Sequence, residues 1–324
     1  MSGFIWVMPV RRLYYYWLFY SWLLGFKKNF RRGGCFMNKI PIFCKDKRQI
    51  WVIISYILII AGAIGMLMPF LWMVSTSLKE INQVFIIPPK WVPEPFHWKN
   101  YKKVFELINF GRYYLNTILV TAGRMIGMFI TCTLAGYAFA RLKFPGRDIL
   151  FFLLLTTLML PFEVLMVPVF ILMKNLHWIN TYQALIIPHA LGAFGGVFSV
   201  FLMKQFFLTI PRELEEAAII DGASPFRVFW SVMLPLVKPA LAAMAIFTFG
   251  SAWNDFTYPL IVTNTDNMKL LSLGIAGFKG FREGMTQWPL MMAASVMSIL
   301  PMVIVFVFAQ KYFIEGVKTT GMKG

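Results

Sequence analysis

Six long apolar stretches constrain the fold of this chain more than any other feature. They lie near residues 51–74, 115–140, 149–173, 183–206, 238–262 and 288–313. Each reaches the roughly 20 apolar residues that a helix needs to cross a hydrocarbon core about 30 Å thick. A backbone in lipid must satisfy its own polar groups, so such stretches predict helices, although several contain Gly or Pro. The sequence therefore predicts an all-α membrane protein with six transmembrane helices.

Composition excludes several other classes of protein. Charged residues make up only 14% of the 324 residues, against about 25% in a soluble domain. Three cysteines without metal-type spacing predict neither a metal site nor a disulfide framework. A net charge of +17 would suggest nucleic acid in a soluble protein, but in a membrane chain it indicates basic loops near anionic lipid. We therefore expect contact with membrane lipid and not with nucleic acid.

The distribution of basic residues predicts the orientation of the spans. If the N-terminus is cytoplasmic, 20 Lys and Arg residues lie inside, and 10 lie in three outer loops at 75–114, 174–182 and 263–287. Because Lys and Arg concentrate in cytoplasmic loops, both termini are expected in the cytoplasm. Residues 1–50 supply much of this bias.

The first 36 residues are unusual because they combine aromatic residues with basic pairs, and their apolar part is too short to span a bilayer comfortably. One interpretation is an interfacial anchor. The other, which we favour, is a dispensable extension ahead of a working start at Met37. A cytoplasmic segment at 37–50 and a membrane domain at 51–324 would follow.

The charged segment at 207–237 predicts two short helices at a bend. Pro211 suits a first helical position, where no amide partner is lost. Asp221-Gly222 ends the first helix, because glycine adopts the left-handed conformation of a helix stop. Ser224-Pro225 then begins a second helix, and Leu234-Pro235 ends it before the next span.

The first of these helices carries a small apolar face. Leu214, Ala217 and Ala218 are spaced three and four residues apart, so they share one side, where another surface could approach closely. The chain contains no G-x-x-x-x-G-K-[ST] phosphate loop, so a partner would have to supply energy. An interfacial amphipathic loop without a docking role is the alternative.

The spacing in this segment resembles the EAA loop of binding-protein-dependent ABC importer permeases. Glu216-Ala217-Ala218 is followed after three residues by Gly222. Nine residues later comes Val232-Met233-Leu234-Pro235, with Val where the family pattern has Ile. The resemblance implies that the loop docks in a cleft of an ATP-hydrolysing subunit. The coupling residues that it implies are Glu216, Ala217, Ala218, Asp221, Gly222, Leu234 and Pro235.

Residues 51–324 resemble, more narrowly, the MalG-type permease subunit of carbohydrate importers. The matching stretches are 137–141, 204–207, 221–224, 253–256 and 310–316, whereas 318–321 departs from the family's small residues and 1–36 has no counterpart. The resemblance implies a MetI-like bundle in a bacterial inner membrane, paired with a second, homologous permease subunit. It also implies an ABC ATPase dimer that binds ATP and Mg, an extracytoplasmic solute-binding protein, and a sugar or oligosaccharide as cargo. No cofactor is expected on this chain itself.

Polar residues within the spans are candidates to line a pathway, because ionisable groups in lipid are costly. Trp253, Asn254, Asp255 and Tyr258 supply the aromatic, amide and carboxylate groups that a sugar site uses. Asn254 and Asp255 could instead hold helices together. Arg124, in the second stretch, is either a pathway cation or a side chain that reaches the outer interface.

Other functions stay open from the residues alone. The same fold could import a non-sugar solute. A secondary transporter would need inverted repeats and an ion site, and it would not explain the EAA spacing. A scaffold without transport activity is a third alternative. An enzyme is disfavoured, because three histidines form no zinc-type cluster or triad, so no catalytic or metal-binding residue is predicted.

Overall fold

The computed structural model of the protein describes residues 47–280 and 286–320. The predicted extension at 1–36 and most of the predicted segment at 37–50 lie outside these residues. The chain divides into two compact units, Met1–Gly65 and Met66–Gly324. Every candidate functional residue lies in the second unit.

The regular elements in the described ranges are all helical, as the apolar stretches predict. Short 3-10 turns lie at Ile81–Gln83, Thr157–Met159 and Asp266–Met268. The longer helices, in chain order, are α1 (Lys47–Ser77), α2 (Lys99–Leu107), α3 (Phe110–Arg141), α4 (Arg147–Thr156), α5 (Phe162–Asn175), α6 (Tyr182–Ala190), α7 (Gly196–Leu208), α8 (Glu213–Ile220), α9 (Pro225–Leu236), α10 (Lys238–Trp253), α11 (Thr257–Val262), α12 (Leu271–Ala276) and α13 (Trp288–Thr320).

Only three of the six predicted spans are continuous helices. Trp51–Ser77 of α1, all of α3 and Trp288–Ala309 of α13 are each long and apolar enough to cross a membrane. The third stretch bends by 103° between Met159 and Phe162. The fourth is split between α6 and α7, and the fifth between α10 and α11. Two bent pairs, α4 with α5 and α9 with α10, could each count as one span, which gives up to five spans in the described ranges by length and composition.

The breaks follow from local backbone chemistry. Pro161 stands at the bend before α5, where it cannot donate a helical hydrogen bond. Between α6 and α7, Gly192 and Gly195 adopt φ of +82° and +81°, a left-handed conformation that glycine tolerates. Pro188 lies inside α6 and leaves the carbonyl of Ala184 without its helical donor.

Helix α3 passes through three apolar clusters of the second unit. Phe110 packs with residues of α10, α12 and α13. Val120 packs with residues of α6 and α11, and Tyr137 packs with residues of α7 and α9. Because α3 is unbroken, it connects the packing at one end of the unit with the packing at the other.

We expect Gly127→Ala to destabilise the protein. A Cβ at Gly127 of α3 would clash with Cα and Cβ of Ala190 at the end of α6. Overpacking of this kind costs about 1–3 kcal/mol, so the thermal unfolding temperature of the purified protein should fall.

Gly111→Ala is the matched control, because a Cβ at Gly111 of the same helix meets nothing within 4 Å. It should be neutral or slightly stabilising, since Ala is the better helix former. An equal effect of the two changes would show that the approach of α3 to α6 is not tight.

Candidate functional site

The charged loop folds as two helices around Gly222, as its turn residues predict. Helix α8 ends where Gly222 adopts φ +83°. The amide of Gly222 donates to the carbonyl of Ile219 at 2.9 Å, and that of Ala223 donates to Ala218 at 3.0 Å. These bonds satisfy carbonyls that the helix end leaves free. The first helical residue is Glu213, two residues after the predicted start at Pro211.

Helix α9 begins at the predicted cap but ends later than predicted. The Ser224 hydroxyl accepts a hydrogen bond from the amide of Arg227 at 3.4 Å. The helix takes π geometry over Val228–Met233 and continues through Leu236, so Leu234-Pro235 does not end it. A 77° bend separates α9 from α10 at Val237. Pro235 lies just before the bend and cannot donate a helical hydrogen bond, and Pro239 lies in the first turn of α10, where no amide partner is lost.

One side of this loop is an exposed apolar surface. Ile220 is 84% exposed and Phe226 71% exposed, and the ring of Phe226 stacks on that of Trp230 at 6.2 Å. Among the predicted coupling residues, Glu216, Ala217, Asp221, Gly222 and Pro235 are exposed, whereas Ala218 and Leu234 are partly buried and pack against a core cluster. The predicted apolar face of α8 is therefore divided between the solvent and the interior.

The inner side of α8 makes a contact that the sequence analysis missed. The Tyr137 hydroxyl donates to Oε1 of Glu215 at 2.7 Å, and Nε of Arg141 lies 3.7 Å from Oε2 of the same carboxylate. Tyr137 and Arg141 are four residues apart, so they share one face at the end of α3. The four-residue spacing of Tyr137 and Arg141, within the matched stretch 137–141, is the sequence feature that could have indicated this contact.

Arg124 and Asp255 form a buried ion pair within the second unit. Nη1 of Arg124 lies 2.7 Å from Oδ2 of Asp255, and the side chains are 2% and 16% exposed. Nε of Arg124 also donates to the carbonyl of Leu185 at 2.7 Å. Arg124 therefore joins α3 to α6 and to the break before α11, with its side chain inside the second unit.

Tyr258 completes this cluster. Its hydroxyl donates to the carbonyl of Ala184 at 2.8 Å, which takes the place of the donor that Pro188 lacks. Its amide lies 3.4 Å from Oδ1 of Asp255. Nε2 of His189 lies 3.9 Å from Oδ2 of Asp255. Arg124, Asp255 and Tyr258 are thus brought together around the breaks in two spans.

Trp253 and Asn254 point elsewhere. Trp253 is 4% exposed, donates from Nε1 to the carbonyl of Ser298 at 3.0 Å, and stacks on Phe249 at 5.4 Å. Asn254 donates to the carbonyl of Gly250 at 2.8 Å and is exposed. The five pathway candidates therefore do not form one site, and Asn254 is the member with an exposed side chain.

The end of α3 remote from the charged loop carries a second polar cluster that was not predicted. Asp266 accepts hydrogen bonds from the hydroxyl of Tyr113 at 2.5 Å and from Nδ2 of Asn109 at 2.7 Å. These bonds hold the pKa of the Asp266 carboxyl below its usual value. The cluster borders a pocket of about 350 Å³ that Lys269 also lines. In the described ranges, no group of three or more His, Cys, Asp or Glu residues is placed to hold a metal ion.

We expect Arg124→Gln and Asp255→Asn each to destabilise the protein strongly. Each change leaves the partner charge buried without compensation, which costs about 3–5 kcal/mol. The double variant should lie closer to the wild type than either single variant does, because both charges are then removed. Thermal unfolding of the purified variants measures this coupling.

The exposed pair Arg147–Asp148, at 2.9 Å, is the matched control, and its neutralisation should change stability little. Simple addition of the two single effects at Arg124 and Asp255 would contradict the assigned pairing.

Comparisons with known proteins agree with this geometry. The family model described as "Binding-protein-dependent transport system inner membrane component" matches residues 127–319. The sn-glycerol-3-phosphate transport system permease protein UgpE of Yersinia pestis is 34% identical over 271 residues, which are 82% of this chain and 95% of that protein. The diacetylchitobiose uptake system permease protein NgcG of Streptomyces coelicolor is 32% identical over 259 residues, 80% of this chain and 84% of the relative.

A third relative, the arabinooligosaccharides transport system permease protein AraQ of Halalkalibacterium halodurans, is 39% identical over 209 residues, 64% of this chain and 73% of its own length. A solved bacterial ABC transporter that imports the acidic polysaccharide alginate contains a similar chain, with a TM-score of 0.71 and 25% identity, covering 85% of this chain and 100% of that one. A second alginate transporter structure, in complex with a periplasmic protein bound to alginate pentasaccharide, gives a TM-score of 0.62 at 15% identity, covering 82% and 94% of the two chains.

The family match covers more than half of the chain, and the relatives align over most of their own length. The expected all-α, MetI-like permease fold is confirmed. So is the expectation that the chain is a transport component and not an enzyme. This chain belongs to the family of binding-protein-dependent transport system inner membrane components, the permease subunits of ABC importers.

Proposed function

We propose that this chain forms half of the translocation pathway of an importer for a sugar or oligosaccharide, and that residues 207–237 couple the pathway to a separate ATPase. The observation that carries the coupling role is the exposed apolar surface of α8 and α9. Its large side chains are those of Ile219, Ile220, Phe226 and Trp230. Large exposed apolar side chains on a charged loop suit a cleft on another protein.

Each predicted coupling residue has a distinct part in this docking. Ala217 is exposed and small, so it allows α8 to seat closely against a partner. Glu216 and Asp221 are exposed carboxylates, available to basic groups beside the cleft. Gly222 sets the angle between the two helices. Leu234 and Pro235 lie at the base of the loop, next to the 77° bend into α10.

The remaining partners are proposed from the family. They are a second, homologous permease subunit that supplies the other half of the pathway, an ABC ATPase dimer that binds ATP and Mg, and an extracytoplasmic solute-binding protein. The periplasmic protein in one alginate transporter structure supports the last of these. Lipid or the second permease would cover the exposed apolar side chains of α1, such as Trp51 and Leu67.

The proposed orientation places the 207–237 loop and both termini in the cytoplasm, in agreement with the bias of basic residues. The membrane permease domain is then 51–324, and 1–36 is proposed to be dispensable.

A neutral sugar suits the polar cluster better than a phosphate does. The charge of Arg124 is balanced by Asp255, and the residue is 1% exposed. This cluster therefore offers no free cation to an anionic solute. Asn254 has an exposed amide side chain, which suits hydroxyl groups, and we assign substrate contact to it before the other candidates. Arg124, Asp255, Tyr258 and Trp253 would instead fix the shape of the pathway.

A non-sugar solute is the second candidate, because one relative is named for sn-glycerol 3-phosphate. Two others are named for diacetylchitobiose and arabinooligosaccharides. Comparing the ATP hydrolysis that each of these solutes stimulates in the reconstituted complex distinguishes the candidates.

Gly222→Val should uncouple transport while leaving membrane insertion intact. A branched residue is strongly disfavoured at φ +83°, and the left-handed conformation costs an L residue about 1–2 kcal/mol, so uptake should fall about tenfold. Gly222→Asn is the matched control, because Asn tolerates positive φ and should retain most uptake. Normal uptake by the Val variant would count against a coupling role for this bend.

A cysteine at Ala217 should crosslink to the ATPase subunit in a background where Cys35, Cys44 and Cys132 are replaced by Ser. Asn82→Cys is the control, because Asn82 is also exposed but lies in a loop predicted to face the opposite side of the membrane. The docking proposal fails if Ala217→Cys never reaches the ATPase, or if the purified chain alone moves solute.

A further inference from the structure

Glu215 connects α8 to the end of α3. Its carboxylate accepts the hydrogen bond of the Tyr137 hydroxyl at 2.7 Å and lies 3.7 Å from Nε of Arg141. The Glu215 side chain is 17% exposed, whereas the flanking residues Leu214 and Glu216 are exposed. Helix α8 therefore turns one carboxylate inward and leaves the other side of the helix free for a partner.

Arg141 extends this contact to a third element. Its Nη2 donates to the carbonyl of Phe207 at 2.7 Å, and also to the carbonyl of Ile210. The Arg141 side chain is 4% exposed, and its buried Nε makes no hydrogen bond. A small movement of Glu215 toward Arg141 would supply that missing acceptor, so the contact can tighten.

The helices beneath Glu215 pack rigidly. The Tyr137 ring lies 5.4 Å from the ring of Phe207 and 5.0 Å from that of Phe229. Gly136 allows α3 to approach α7 closely, because a Cβ there would come 2.5 Å from Cβ of Met203. Such close packing transmits displacement instead of absorbing it.

Two routes lead from α8 into the membrane, and they differ in stiffness. The covalent route runs through α9 and a 77° bend into α10, and Pro235 removes a helical hydrogen bond beside that bend. The route through Glu215 enters α3, which is unbroken from Arg141 back to Arg124. That distance is roughly 25 Å at 1.5 Å per residue, and at its far end Arg124 holds Asp255 and the carbonyl of Leu185.

We propose that Tyr137, Glu215 and Arg141 form a clamp that carries the movement of α8 into α3, and through α3 to the Arg124–Asp255 pair. These residues are positioning residues for transport, and they do not touch the ATPase or the solute. The role rests on the proposed docking of α8 on the ATPase.

The test uses the complete complex reconstituted in lipid vesicles, with Tyr137→Phe and Glu215→Gln. Tyr137→Phe keeps the ring packing and removes the hydroxyl donor, and Glu215→Gln removes the charge that faces Arg141. Both variants should retain the ATPase subunit and hydrolyse ATP. The solute transported per ATP hydrolysed should fall about fivefold or more, the range of a typical coupling free energy. The double variant should lose no more than the sum of the single losses, because the two residues share one contact.

Asp148→Asn is the matched control, because it removes an exposed carboxylate that pairs with its neighbour Arg147 and lies outside the Tyr137–Glu215–Arg141 contact. It should leave transport per ATP unchanged. The clamp is overturned if Tyr137→Phe transports as much solute per ATP as the wild type, or if transport and hydrolysis fall together in proportion to the complex assembled. Failure of the docking itself is distinguishable, because Ala217→Cys would then not crosslink to the ATPase even with Tyr137 and Glu215 unchanged.

Discussion

Hydrocarbon offers no hydrogen bonds to a broken backbone, and this constraint explains the design of helix α3. Two of its polar side chains donate to carbonyl groups of the interrupted span beside it. Arg124 donates to the carbonyl of Leu185, and Thr131 donates to that of Ala190 at 2.7 Å, where α6 ends. A continuous helix with a few well-placed donors thus allows its neighbour to be irregular. The irregular neighbour in turn fixes which residues of the continuous helix must be polar.

The parts of the molecule that the sequence predicts well are those that depend on neighbouring residues. The stop at Gly222 and the cap at Ser224 follow from the chemistry of single residues, and the structure has both. The all-helical class follows from long apolar runs. The breaks in the spans lie at Pro and Gly residues that the sequence shows, although the apolar runs alone predicted unbroken spans. The pairing of Arg124 with Asp255, 131 residues apart, was not predictable, because it depends on which helices meet. The same holds for Glu215 and Tyr137, which are 78 residues apart.

The eight residues of α8 separate two tasks by face. The outer face, with Ile220 most exposed, is the surface that we propose to dock on the ATPase, and the inner face holds Glu215 against α3. Changes on the outer face should therefore alter whether a partner binds, whereas changes on the inner face alter what binding achieves. The two faces are only one residue apart in the sequence, and the spacing of Leu214, Ala217 and Ala218 alone did not indicate the inward contact of Glu215.

Pro188 and Tyr258 show how a side chain from another helix satisfies the backbone of an irregular span. Pro188 has no amide hydrogen to donate. The hydroxyl of Tyr258, from another helix, donates instead to the carbonyl of Ala184. Neither residue explains the arrangement alone. Beside an intact helix the Tyr258 hydroxyl would not be needed by the Ala184 carbonyl, and without Tyr258 the proline would leave that carbonyl without a hydrogen-bond donor. The two positions are therefore interdependent: an amide at position 188 would restore the helical donor to the Ala184 carbonyl, whereas loss of the phenol alone would leave that carbonyl without its donor.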